Sequence, residues 1–348
     1  MARKAAPSAD HRHPVAAECV AVVEAVVVVE VAVGGDRMRG LGRLFAVVLV
    51  VAGLLVRPVQ AATPQSTYAT PDAAVTALVA ALKTHNPTAI GAVLGPGSEA
   101  LVSSGDRVKD RQENQRFLDA YAEHHALVAD GTDQMVLHVG QNDWPMPIPL
   151  VQHNGRWHFD SHEGAQQIVD RRIGRNEIAA IRVCLAYVDA QKAYFDLFKQ
   201  ATGAGAYAQR LVSTPGNYDG LYWPSVTGIP ESPLTPLLES AVDEGYPGEV
   251  AAGKSVPYQG YFYRVLTRQG TSAPGGARSY IQNGKMVGGF ALLAWPAIYG
   301  ASGVMTFIVN QDGVVFQDDL GRDTAARAAR ITAFDPGLDW TRIDVSRQ

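Results

Sequence analysis

Two histidines and an aspartate, His153, His158 and Asp160, are set around the dipeptide Asn154-Gly155. That dipeptide is the strongest short-range signal for a β-hairpin. The segments 148–153 and 156–160 are therefore expected to pair across it. Side chains alternate along a strand, which puts Val151, His153, Arg156, His158 and Asp160 on one face. Leu150, Gln152, Trp157 and Phe159 take the other face, toward a core. Two imidazoles and a carboxylate gathered this way could ligate a divalent metal, with His162 and Glu163 just beyond. A solvated strand face has the same composition, so the pattern leaves both readings open.

A second constellation is basic. Arg171, Arg172 and Arg175, followed by Glu177, open a long helical stretch. They could clamp an anionic ligand, or bridge two domains through ion pairs. Tyr222, Trp223, Tyr261, Tyr263 and Trp295, taken with arginine, have the composition of a binding surface. Core packing could account for most of these aromatic residues. Cys184 lies among Val183, Leu185 and Ala186, the setting of a structural thiol rather than a reactive one. Gly203-Ala-Gly205-Ala-Tyr-Ala208 matches a dinucleotide fingerprint but follows a helix, so the phosphate-cradling turn is missing. The chain has no G-x-S-x-G elbow, no H-E-x-x-H and no P-loop. No cofactor is expected.

The elements that must position these residues are read from periodicity. Thr70 and Pro71 open a helix with Val75, Leu78 and Leu82 inward, which Asn86-Pro87 breaks. A short helix through Ile90 and Leu94 follows, then one over 109–125, then the hairpin strands. Residues 171–198 form a long helix with Asn176 as its cap and two apolar stripes, one through Ile181 and Val188, the other through Cys184 and Tyr194. Residues 213–257 hold seven of the twenty prolines and read as an ordered loop. Strands then begin at Tyr258, with turns at Asn283-Gly284 and Asp312-Gly313 and a short helix from Thr324 to Ile331. The class is α+β: N-terminal helices with an antiparallel sheet over 64–165, then a long central helix and an antiparallel meander over 166–348.

The 348 residues are 47% hydrophobic and 18% charged, a globular composition. The first 61 residues hold seven Lys/Arg and five Asp/Glu, which leaves 23 basic against 29 acidic residues in the body. An acidic body argues against nucleic acid as a partner. Residues 38–61 read as a signal peptide: Arg39 and Arg43, an apolar run from Leu44 to Val56, then Val59-Gln60-Ala61. The run is short for a membrane span, which needs about twenty residues. An uncleaved leader is the one route to a membrane. The Ala/Val run before Met38, broken by Glu18, Glu24 and Glu30, reads as an artefact of the chosen start.

Several motifs carry resemblances. The order of elements over 64–165 is similar to cystatin-like or NTF2-like domains, and that of the second half to the globular part of type IV pilins and pseudopilins. Trp144-Pro-Met-Pro-Ile-Pro-Leu150, Asp219-Gly-Leu-Tyr-Trp-Pro224 and Gly288-Gly-Phe-Ala-Leu-Leu-Ala-Trp-Pro296 resemble the bacterial exported-protein family catalogued as domain of unknown function 2950. That resemblance implies a periplasmic or secreted protein and carries over no catalytic residue. The function expected is a non-catalytic binding or structural module with an envelope protein or small ligand as partner. A metal-assisted periplasmic hydrolase is the alternative. The leader predicts a mature chain starting at Ala62. Intact mass of protein recovered from periplasm or medium checks this, and a full-length mass in the membrane fraction would refute it.

Overall fold

The computed structural model describes residues 65–246 and 256–344. The leader expected at 1–61 lies outside them. Helix α1 (Pro71–Thr84) starts where Thr70 accepts from the Ala73 amide at 3.1 Å, with Pro71 in the first turn. Helix α2 (Pro87–Leu94) is capped by Asn86 in the same way. A four-residue α3 (Glu99–Val102) was not legible from periodicity, being shorter than two turns. Helix α4 (Arg107–Glu123) is capped by Asp106.

The first sheet is antiparallel and combines β1 (His125–Ala129), β2 (Gln134–Val139), β3 (Trp144–Pro145), β4 (Leu150–His153) and β5 (Arg156–Phe159). Its order is β1-β2-β4-β5, with β3 attached to β2. The β4–β5 hairpin has the expected register, His153 opposite Arg156 and Val151 opposite His158. Asn154 and Gly155 both take positive φ, 49° and 74°, as its two-residue turn requires. Helices α1, α2 and α4 cover one face and bury Leu78, Leu94, Ile148, Leu150 and Phe159.

The central helix α5 (Ala165–Thr202) has 38 residues and spans about 57 Å. It begins well before Asn176, which is not a cap but a buried mid-helix residue donating to the Ser302 carbonyl at 2.9 Å. The inward stripe runs on upstream through Val169 and Ile173, but Arg172 and Asn176 occupy it too, which masks the pattern. Gly164 starts the helix at φ 84°, where a Cβ would collide with the Pro147 carbonyl.

Beyond α5, β6 (Arg210–Val212) and β7 (Gly220–Tyr222) pair in parallel, and α6 (Thr235–Asp243) replaces part of the expected loop. A second five-stranded antiparallel sheet runs β16-β15-β14-β13-β8. It consists of β8 (Tyr261–Leu266), β13 (Ala291–Pro296), β14 (Thr306–Asn310), β15 (Val315–Asp318) and β16 (Thr341–Arg342). Two small hairpins lie between β8 and β13: β9 (Arg268–Gln269) with β10 (Arg278–Ser279), and β11 (Ile281–Gln282) with β12 (Lys285–Met286). The C-terminal part of α5 packs on β13 and β14. Arg264 reaches the last carbonyls of α7 (Thr324–Arg330), donating to Ala328 and Ile331. Strands β13 and β14 are buried almost throughout, so they read as apolar runs rather than alternating ones.

One carboxylate ties the two halves. Asp106 is 1% exposed. Its Oδ1 accepts from the Val108 and Lys109 amides at 3.1 Å, and its Oδ2 from Tyr246 Oη at 2.7 Å and the Gly260 amide at 2.9 Å. Gly260 has φ 79°, and a Cβ there would lie 2.5 Å from Asn176 Nδ2, so the close approach needs glycine. Replacing Asp106 by Ala strands four donors and is expected to cost roughly 3 kcal/mol or more. Tyr246→Phe removes one donor to Asp106 and the acceptor of the Gln259 amide, and should cost less, about 1–2 kcal/mol. Urea denaturation of the two variants checks the ordering.

Candidate functional site

The expected metal face is the first place to look. His153, His158 and Asp160 do share a side of the β4–β5 hairpin, with His153 exposed. Asp160 Oδ1 is engaged by the His162 amide at 3.1 Å, which turns the chain toward α5. Among the described residues no group of three His, Cys, Asp or Glu side chains is gathered as a metal would need. The hairpin alternation spreads these side chains along the strands instead of converging them. Cys184 is 0% exposed, and burial pushes its thiol up to about 12, so it stays protonated.

The five aromatic residues do not form one surface. Tyr261 is fully buried and donates to the Met305 carbonyl at 2.9 Å. Tyr263, two residues on, shares its side of β8, half-buried against the same core. Trp295 pairs opposite Phe262, on the other side of the sheet, with the Arg264 guanidinium 5.4 Å from its ring centre. Trp223 is buried against Tyr194 and donates to the Pro230 carbonyl at 2.9 Å, with the half-buried Tyr222 beside it on β7. Trp223 and Tyr261 each tie an irregular segment to the core through these hydrogen bonds.

Arg172 and Arg175 lead elsewhere. The Arg172 guanidinium is buried and each of its three nitrogens donates once, to Glu113 at 2.8 Å and to the Ala100 and Leu101 carbonyls. It joins α5 to α3 and α4. Arg175 reaches the same Glu113 at 2.8 Å, and Arg116 lies 3.6 Å from it. Burial pushes the Glu113 carboxyl up, but Arg172 and Arg175 outweigh it and hold the group below the ordinary glutamate range. The nearby Asp110 is shifted the other way, because burial outweighs its hydrogen bonds from Ser104. Glu177 does not join this cluster; it accepts from the Val304 and Met305 amides at 3.0 Å and fixes α5 to the loop before β14.

These arginines stand at the edge of a cavity of about 630 Å³, open to solvent on one side and lined by α1 to α4, the start of α5 and the first sheet. Leu78, Leu82 and Ile90 line it from the first two helices, Phe117 from α4, and Val139 and Trp144 from the sheet. Small residues keep it open at one corner, where Ala120 of α4 meets Gly140 after β2. Sequence reasoning placed these apolar residues in the core but not around a space, because the lining comes from separate elements that meet only in the fold. A second, more polar groove of about 700 Å³ lies between the β9–β10 loop and the segment after α7, lined by Arg268, Arg278 and Arg330 with Asp335.

Fold and cavity together define an α+β protein of two antiparallel sheets joined by one helix, with a ligand-sized apolar space beside its first sheet. The chain belongs to the family described as protein of unknown function, DUF2950, whose model matches residues 65–343. No curated protein and no solved structure matches the chain. The likeness to pilins and to cystatin- or NTF2-like domains rests on element order alone.

The ion cluster makes a pH prediction. A carboxyl depressed in the folded state contributes stability that is full above its unfolded value, about 4.3. That contribution is lost as pH falls through the folded value. Asp110, raised on folding, has the opposite sign and offsets part of it. Glu113→Gln should therefore lower stability at neutral pH and make its decline between about pH 5 and pH 3 shallower than in the wild type. Urea denaturation across that range is the check, and parallel profiles would refute the assignment.

Proposed function

We propose that this is an exported bacterial envelope or secreted protein that works as a non-catalytic binding module, with its ligand in the cavity beside the first sheet. The observation that carries this reading is the cavity itself. Its volume falls within the range of small-molecule sites, roughly 300–1,000 Å³. Apolar walls between polar groups at the ends are what such sites use to combine affinity with orientation. Cys184, read from the sequence as a structural thiol, is buried, and His153, His158 and Asp160 do not line this cavity.

Export is supported by the leader at 38–61. Nothing in the reading needs a membrane: no helix of the described residues is long and apolar enough to cross one.

The neutral, polarity-sensitive fluorophore phenylnaphthylamine tests the cavity. It should bind the wild-type protein with enhanced, blue-shifted emission at about one site per chain. Ala120→Phe, which projects a ring into the space, should weaken binding at least tenfold with the thermal unfolding midpoint little changed. Leu101→Trp is the second filling variant should Ala120→Phe prove unstable. Equal binding by wild type and a folded filling variant would overturn the reading.

A further inference from the structure

Resting on the cavity reading above, we infer that the ligand is a single-chain amphiphile with an oxyanion headgroup, its tail in the cavity and its head against Arg175, Arg171 and Arg116. The cavity is polarised along its length. Helix α4 lines it from Glu113 to Glu123, ten residues apart, a run of about 15 Å. Arg116, Arg172 and Arg175 gather around Glu113 and Arg171 lines the same cavity one turn before Arg175, whereas Glu123 lines it with Gln141 and Asn142 ten residues further along α4. Between the ends the walls are apolar, from Leu78 and Leu82 on one side to Phe117 and Trp144 on the other. A slot with one cationic end and apolar walls matches a molecule with one charged end and an apolar chain.

The cationic end has charge and donors to spare. Glu113 is one carboxylate shared by three guanidiniums, at 2.8 Å from Arg172, 2.8 Å from Arg175 and 3.6 Å from Arg116. Arg172 is consumed by that pair and two carbonyls, and its part is to position Glu113. Arg175 gives one hydrogen bond, from Nη2, and keeps the rest of its donors, its side chain 51% exposed. Arg116 is 59% exposed, and Arg171 is exposed with no ion-pair partner among the described residues. The excess is local, since the body carries 29 acidic against 23 basic residues. Planar guanidiniums at the rim suit carboxylate or phosphate, which accept two parallel N–H bonds. A like-charged second headgroup at the far end would meet Glu123, which favours one head and one tail.

The test is displacement of phenylnaphthylamine from the full exported protein by dodecanoate, dodecyl phosphate, dodecanol and dodecyltrimethylammonium, each below its micelle concentration. One of the two anions should displace the probe at concentrations at least tenfold below dodecanol, and the ammonium should be the weakest. Which anion is better identifies the headgroup. Tetradecanoate should bind roughly tenfold more tightly than dodecanoate, from two more buried methylenes. Arg175→Gln combined with Arg171→Gln should erase the anion advantage while leaving dodecanol displacement unchanged, and added salt should reduce it. Equal displacement by dodecanol and both anions, or an advantage that survives the double substitution, overturns the headgroup assignment and leaves the cavity reading standing. Absence of probe binding overturns both.

Discussion

The fold depends on a buried carboxylate that has no ion-pair partner among the described residues. Asp106 is held by two amides of the helix it starts, by a tyrosine hydroxyl and by the Gly260 amide. Two of those donors belong to α4 and two to a segment that leads into the second sheet, so a single ion sets the start of α4 and the approach of β8 at once. The helix N-terminus adds partial positive charge where the carboxylate sits. Hydrogen bonds take the place of a salt bridge, and each has a fixed direction. That direction matters because α4 carries Glu113, and Glu113 gathers the arginines at the mouth of the cavity.

The two halves are bound by polar contacts of this kind as much as by apolar ones. Asn176 and Glu177, side by side on α5, grip the loop before β14 through Ser302, Val304 and Met305. Arg172, one turn earlier, grips α3 and α4. A polar band therefore runs across the first third of α5, between an apolar stretch facing the first core and one facing the second. A polar band of this kind fixes register, because each contact has one partner at one distance, whereas apolar stripes tolerate sliding by a turn.

Much of the architecture was legible because local rules act on local sequence. Thr70-Pro71, Asn86-Pro87 and Asn154-Gly155 do what their chemistry dictates, and the class α+β followed from the order of the elements. The start of α5 was illegible for a definite reason: Arg172 and Asn176 are buried through tertiary partners, and a hydropathy pattern counts them as exposed. Helix α6 was hidden behind the prolines around it, although Pro236 sits in its first turn, where proline is tolerated. Of the site, Arg172 and Arg175 were found as candidates but not their partner Glu113, 59 and 62 residues away in sequence. The aromatic candidates were misleading because ring size and burial rise together, so a core looks like a binding surface when only composition is visible.

Cys184 has one more consequence. In a mature chain starting at Ala62 it is the only thiol, and it is closed inside the core between α5 and the second sheet. A chain with one thiol can form a disulfide only with another molecule. Before folding that thiol is open to any oxidant or thiol-bearing protein it meets; after folding it is closed off from them. The core thus sets the order of events: collapse of α5 onto its sheet must outrun oxidation, and a molecule caught first is left with a sulfur adduct too large for the space the thiol fills.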